Sequence, residues 1–165
     1  MEISKQNILN YLLEDADFLS FSFDCNFSLV FCCKQKDDIE LPTYITLTIE
    51  GDWWFGNKST WNHIVKEMTE NNNYIEPEEP VLAFKLAALR WSDGAAISKI
   101  ELSEKYLFIS FYSGDSISIS NQTNMDCEVT WEIVESGFDI KRRNHYWWVS
   151  CDILGNIDYN IPNLA

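Results

Sequence analysis

Residues able to catalyse a reaction or hold a metal are thinly supplied in this 165-residue chain. Its two histidines, His63 and His145, lie far apart, and neither belongs to an H-E-x-x-H or similar spacing. Five cysteines, Cys25, Cys32, Cys33, Cys127 and Cys151, show neither an even count nor a repeated ligand spacing. They are expected to be reduced and to behave as small hydrophobes. The neighbouring Cys32 and Cys33 would need a nearby positive charge to be redox-active. No G-x-S-x-G elbow, P-loop or dinucleotide glycine pattern occurs, and six glycines leave little material for loops that cradle phosphate. Carboxylates are abundant, yet nothing singles out two of them as an acid–base pair. The expectation is a non-enzyme with no cofactor and no metal.

Charge says more. Twenty-six acidic residues against twelve basic ones give a formal net charge of −14. Nucleic acid and anionic membrane are poor partners for such a chain, because both are bound by neutralising phosphate with lysine and arginine. A basic protein is the natural partner, although acidity also serves solubility alone. The expected contact residues are Asp37, Asp38 and Glu40 in one loop, Glu76, Glu78 and Glu79 in another, and Glu128 and Glu132 on the polar face of the strands between Ile97 and Val134. Tyr106, Phe108 and Tyr112, interleaved with Glu128 and Glu132 on that face, would supply aromatic anchors if no helix covers it. The doublets Trp53-Trp54 and Trp147-Trp148 suggest an alternative, a small-molecule or carbohydrate-binding module. On a strand, successive side chains point to opposite faces, so each doublet should give one core ring and one surface ring. A structural adaptor domain is the third possibility.

The elements that must position these residues follow from periodicity. Ile3 to Glu14 reads as a helix capped by Ser4, with Ile8, Leu9, Leu12 and Leu13 on one stripe. Phe18 to Phe23 and Phe27 to Cys33 form a hairpin around Asp24-Cys25-Asn26, and Tyr44 to Glu50 is a further strand ending at Gly51-Asp52. Trp61 to Glu70 is a helix after a Ser59 or Thr60 cap, Asn71 to Glu79 a loop, and Glu79 to Trp91 the strongest helix. From Ile97 to Val134 apolar residues alternate with polar ones through four runs, which predicts a β-meander. Ile100, Leu102, Leu107, Ile109, Phe111, Ile117, Ile119, Val129, Trp131 and Ile133 mark its core face. The helix Glu79 to Trp91 is the candidate cover for the other face. Gly137 to Asn144 reads as a loop, Tyr146 to Ile153 and Ile157 to Ile161 as strands. The fold class is α+β, mainly β: an antiparallel sheet, partly curled or doubled, with about three helices in one domain over residues 1–165. No apolar run approaches the roughly 20 residues of a membrane span, and Met1 to Leu13 lacks the pattern of a signal peptide, so a cytoplasmic location is expected.

One resemblance adds to this. Leu-Arg-Trp-Ser-Asp-Gly-Ala-Ala-Ile from Leu89 to Ile97, the stretch Leu107 to Ser120 around Gly114-Asp115, and Thr130-Trp131-Glu132 together resemble a pattern of small bacterial immunity proteins. In those families a short helix leads into strands with a Gly-Asp turn, and a final strand carries tryptophan. The resemblance covers about a quarter of the chain and consists of fold-forming residues. It implies a cytoplasmic protein that binds and neutralises the toxin domain, such as a nuclease, of a polymorphic or contact-dependent growth inhibition system. No binding residue carries over from it.

Overall fold

The computed structural model describes residues 4–24, 26–36, 40–72 and 78–162. Expectations for Cys25, Asp37, Asp38 and Glu76 therefore lie outside the described residues, as does the middle of the loop expected between Asn71 and Glu79. The architecture is α+β and mainly β, with two antiparallel sheets. The larger sheet has the order β1-β2-β3-β8-β9-β10, formed by Asp17–Phe23, Phe27–Cys32, Tyr44–Ile49, Val129–Glu135, Trp148–Asp152 and Ile157–Asn160. The smaller has the order β4-β7-β6-β5, formed by Trp53–Phe55, Ser116–Ser120, Tyr106–Phe111 and Ile97–Leu102.

Register explains why one face of each sheet is apolar. In the larger sheet Phe21, Leu29, Leu47, Ile133, Val149 and Tyr159 stand in one row, and Phe23, Phe27, Ile49, Trp131, Cys151 and Ile157 in the next. In the smaller sheet Leu102, Leu107, Ile119 and Trp53 form one row, and Ile100, Ile109, Ile117 and Phe55 another. These rows close a single core. Strict alternation would set Phe18 on the face opposite Phe21. A bulge at Leu19 shifts the register, so that Phe18 pairs with Phe31 while Phe21 pairs with Leu29, and all three phenylalanines of β1 face inward.

The Ile97 to Val134 segment departs from the expected meander. Three of its strands are consecutive neighbours in the smaller sheet, but the fourth, β8, lies in the larger sheet between β3 and β9. The reason is the loop 121–128, far longer than a hairpin turn, which carries the chain across. The connection β3 to β4 makes the same crossing alongside it at Glu50 to Asp52. Glu50 and Gly51 both donate their N–H to Thr130 O at 2.9 Å, and Ser120 N donates to Asp52 O at 2.8 Å, which ties the two crossings together. At a second corner Asp15 N donates to Ile97 O at 3.0 Å and Ile97 N to Ala16 O at 2.9 Å, joining the start of β5 to the approach to β1.

The helices close the ends. Helix α1, Lys5–Leu13, is capped by the Ser4 hydroxyl accepting from Asn7 N at 3.2 Å, and buries Ile8, Leu9, Leu12 and Leu13 completely. Its Gln6 amide donates to Ile100 O at 3.0 Å and accepts from Leu102 N at 2.8 Å, so one side chain pairs the open edge of β5 as a neighbouring strand would. Helix α2 runs Lys58–Asn72, longer than expected, because Asn57 rather than Ser59 or Thr60 caps it: its Oδ1 accepts from Ser59 N at 3.0 Å and Thr60 N at 3.2 Å. Helix α3, Glu78–Arg90, buries Val81, Leu82, Leu86 and Leu89. It packs against β1 and α2, with Arg90 Nε donating to the bulge carbonyl of Leu19 at 2.9 Å. It does not serve as the cover expected for the smaller sheet. Its buried stripe packs on β1 instead, and Arg90 satisfies the Leu19 carbonyl at the bulge. The expected loop Gly137 to Asn144 contains a short 3-10 helix, Ile140–His145, capped by Asp139. Among the described residues, no helix is long and apolar enough to cross a membrane.

Candidate partner-binding groove

Beneath the first turn of α3 lies a cavity of about 370 Å3. Four elements build it. The β1–β2 hairpin brings Phe23 and Phe27, the crossing into β4 brings Gly51, Asp52 and Trp53, helix α3 brings Glu78 and Glu79, and the loop 121–128 brings Met125. The aromatic floor is a chain of ring contacts: Phe23 stacks on Phe27 with ring centres 5.3 Å apart, Phe27 meets Trp53 at a tilt at 5.2 Å, and Trp53 meets Trp61 of α2 at a tilt at 5.2 Å. Rings so engaged on several sides are rigid, which keeps the floor in place without a ligand. A second cavity of about 590 Å3 shares Asp52 and Met125 with the first and adds Gln122, Thr123, Asn124, Ile153 and Leu154. Met125 is 54 % exposed and Leu154 71 %, so two apolar side chains stand open in this groove.

Its charge is one-sided. Three carboxylates line the groove, while no lysine or arginine does among the described residues. Glu78 and Glu79 occupy the first turn of α3, where they complement the helix macrodipole. That dipole supplies about half a positive charge at a helix start, so three carboxylates leave the groove clearly negative. Neither Asp52 nor Glu78 has a side-chain hydrogen bond or ion pair to another described residue.

Of the residues expected to make contact, the fold brings Glu78 and Glu79 together here and disperses the others. Glu40 lines a separate cavity of about 160 Å3 with Glu135, His145 and Trp147. Glu128 is exposed in the approach to β8. Glu132 lies half-buried on the outer face of the larger sheet, and its carboxyl is pushed up by burial and by repulsion from Glu50, against the opposing pull of Arg143. Tyr106 and Phe108 sit side by side, ring centres 5.6 Å apart, on the outer face of the smaller sheet. Tyr112 lies just past β6, 63 % exposed, and its hydroxyl donates to Asp15 Oδ1 at 2.8 Å. The acidic and aromatic surface expected from Tyr106, Phe108, Tyr112, Glu128 and Glu132 is therefore not assembled, because β8 belongs to the other sheet.

The tryptophan doublets are also corrected. Trp54, Trp147 and Trp148 are each at most 7 % exposed, and Trp53 is only partly open. The outward ring of the first doublet, Trp54, is covered by the Lys58 ammonium at 4.4 Å and abutted by Tyr106 at 5.3 Å. Trp148 lies under the Arg143 guanidinium at 4.0 Å. Lysine and arginine side chains from neighbouring helices lie over these rings, which a strand-only view omits.

Asp52, Phe23, Phe27, Met125 and Leu154 are not among the expected contact residues. Asp52 is legible as the turn after β3, but nothing local ties that turn to the start of α3. No known protein family, curated protein or solved structure matches this chain.

Proposed function

We propose that this chain is an immunity protein of the cytoplasm, binding and neutralising a cognate toxin domain that presents a basic surface. The observation that carries the proposal is the meeting of Asp52, Glu78 and Glu79 over the aromatic floor of Phe23, Phe27 and Trp53. A net charge of −14 adds long-range attraction, which accelerates encounter with a basic partner and weakens as salt rises. Pre-set rings and the carboxylates above them then give a short-range contact that differs from generic acidity. Blocking the partner needs no chemistry in this chain, only a surface held still.

Co-expression with the protein encoded immediately upstream tests the proposal. The expected results are a complex that survives purification, protection from that protein's toxicity, and an association rate that falls steeply with salt. Absence of both complex and protection overturns it.

A further inference from the structure

We propose that the groove receives an extended segment of the partner. In this arrangement one lysine or arginine side chain sits on Trp53 between Asp52 and Glu78, and a nearby apolar side chain lies on Met125 and Leu154. The inference rests on the reading of the chain as a binder of a basic protein, and adds the place of binding and the chemistry of the ligand.

Three observations lead to this occupant. The first is charge complementarity: the groove walls hold carboxylates and no cation among the described residues. The second is the floor. A cation over an indole is attracted by the ring quadrupole, most strongly where water is partly excluded, and an aromatic floor walled by four elements meets that condition. The same attraction already operates elsewhere on this molecule, where Lys58 lies 4.4 Å from the Trp54 ring. The third is spacing. Each of the adjoining cavities, of about 370 and 590 Å3, has room for one long side chain. On an extended segment, residues i and i+2 project to the same side about 6.6 Å apart, which lets one side chain enter each of two cavities that share Asp52 and Met125 as a common wall. The amides of Gln122 and Asn124 stand along the second cavity; Gln122 Nε2 already donates to Leu154 O at 3.2 Å.

The test uses the full chain and a defined probe, the blocked peptide Gly-Lys-Gly-Leu-Gly, with a norleucine-for-lysine version as control. Isotope-edited NMR follows the Trp53 indole N–H and the Met125 methyl during titration. The expected result is saturable shifts centred on those two groups, with the norleucine peptide bound about tenfold more weakly. The D52N/E78Q double variant, whose carboxylates make no hydrogen bond or ion pair with another described residue, should lose about fivefold to tenfold in affinity while staying folded, its thermal midpoint moving by no more than the few degrees that one first-turn charge on α3 is worth. Equal binding of the norleucine peptide, shifts that scatter over acidic surfaces such as Glu132, or no shift at about 10 mM peptide overturns the inference. A second arm separates it from the proposed function. If the upstream protein binds tightly and both D52N/E78Q and the exposed-site variant L154D bind equally well, the groove is wrong and the inhibitor reading survives. If the upstream protein does not bind but the peptide titrates at Trp53, the groove stands and the toxin reading fails.

Discussion

Asn121 Oδ1 accepts the Trp131 indole N–H at 3.0 Å, with both residues essentially buried. The same amide donates through Nδ2 to Ser103 O at 2.8 Å, and the Asn121 backbone N–H donates to Lys105 O at 2.8 Å. One polar side chain thus bolts the β5–β6 turn of the smaller sheet to β8, one of the two central strands of the larger. Asn121→Ala would orphan a buried indole donor and a carbonyl together, at a cost of about 2–4 kcal/mol. Urea denaturation monitored by tryptophan fluorescence measures it; a loss within experimental error would show that the bolt is ornamental.

Gln6 does for β5 what another strand would do. Replacing it with glutamate keeps the shape and the acceptor for Leu102 N but removes the donor to Ile100 O, setting a carboxylate against a carbonyl. Gln6→Ala should lose about 1–2 kcal/mol, and Gln6→Glu should lose more. Faster amide exchange at Leu102 in the alanine variant is the local signature.

Gly94 meets the backbone of the β6–β7 turn. A Cβ built there would come within 2.6 Å of Ser113 Cα, and the Ser113 N–H donates to Gly94 O at 3.0 Å, so neither side has room to withdraw. Gly94→Ala should cost about 3 kcal/mol. A stable, wild-type-like alanine variant in thermal melts would contradict this packing.

Two carboxyls tie stability to pH with opposite signs. Glu132 is raised by burial and by Glu50, so its contribution is fully present below the unfolded value of about 4.3 and is lost as pH rises through the folded value. Glu132→Gln should therefore stabilise the protein at pH 7, with the gain vanishing below about pH 4. Asp152 is lowered, chiefly by the Asn156 side chain, and also accepts from the backbone N–H groups of Leu154 and Asn156, each at 2.8 Å. Its contribution is present above about 3.9 and is lost as pH falls through the folded value. Asp152→Ala should cost about 1 kcal/mol at pH 7, the range of an exposed capping residue, and progressively less in acid. Denaturation midpoints from about pH 2 to 8, a window that opens below and closes above the ordinary value of both carboxyls, separate the two.

The cysteine pair should be chemically quiet at Cys33. Burial, with Cys32 beside it and against the pull of Lys36, pushes that thiol up to about 12. Thiolate is the reacting species, so alkylation at pH 8 should spare Cys33 and the buried Cys151 until the protein unfolds. Mass spectrometry of partially alkylated native protein reads the outcome directly.

Local pattern was sufficient for most elements. Ser4 with the Ile8, Leu9, Leu12 and Leu13 stripe defines α1, and the alternation in β2, β3 and β6 defines their inward rows, because burial of one face requires that periodicity whatever the partner. Net charge depends on composition alone, and so was settled before any fold. Where a strand pairs is different: β8 has the same alternation as β5 to β7, and only the core of the larger sheet, with Ile49 and Cys151 flanking Trp131, decides that it belongs there. Bulges at Leu19, Ser98 and Thr130 are likewise read from register rather than residue type. The groove is the furthest from local pattern. Phe23, Asp52, Glu78 and Met125 come from separate elements, and each is ordinary in its own segment. Their meeting is created by two chain crossings between sheets and by α3 docking on β1, long-range contacts whose energy no short window of sequence contains.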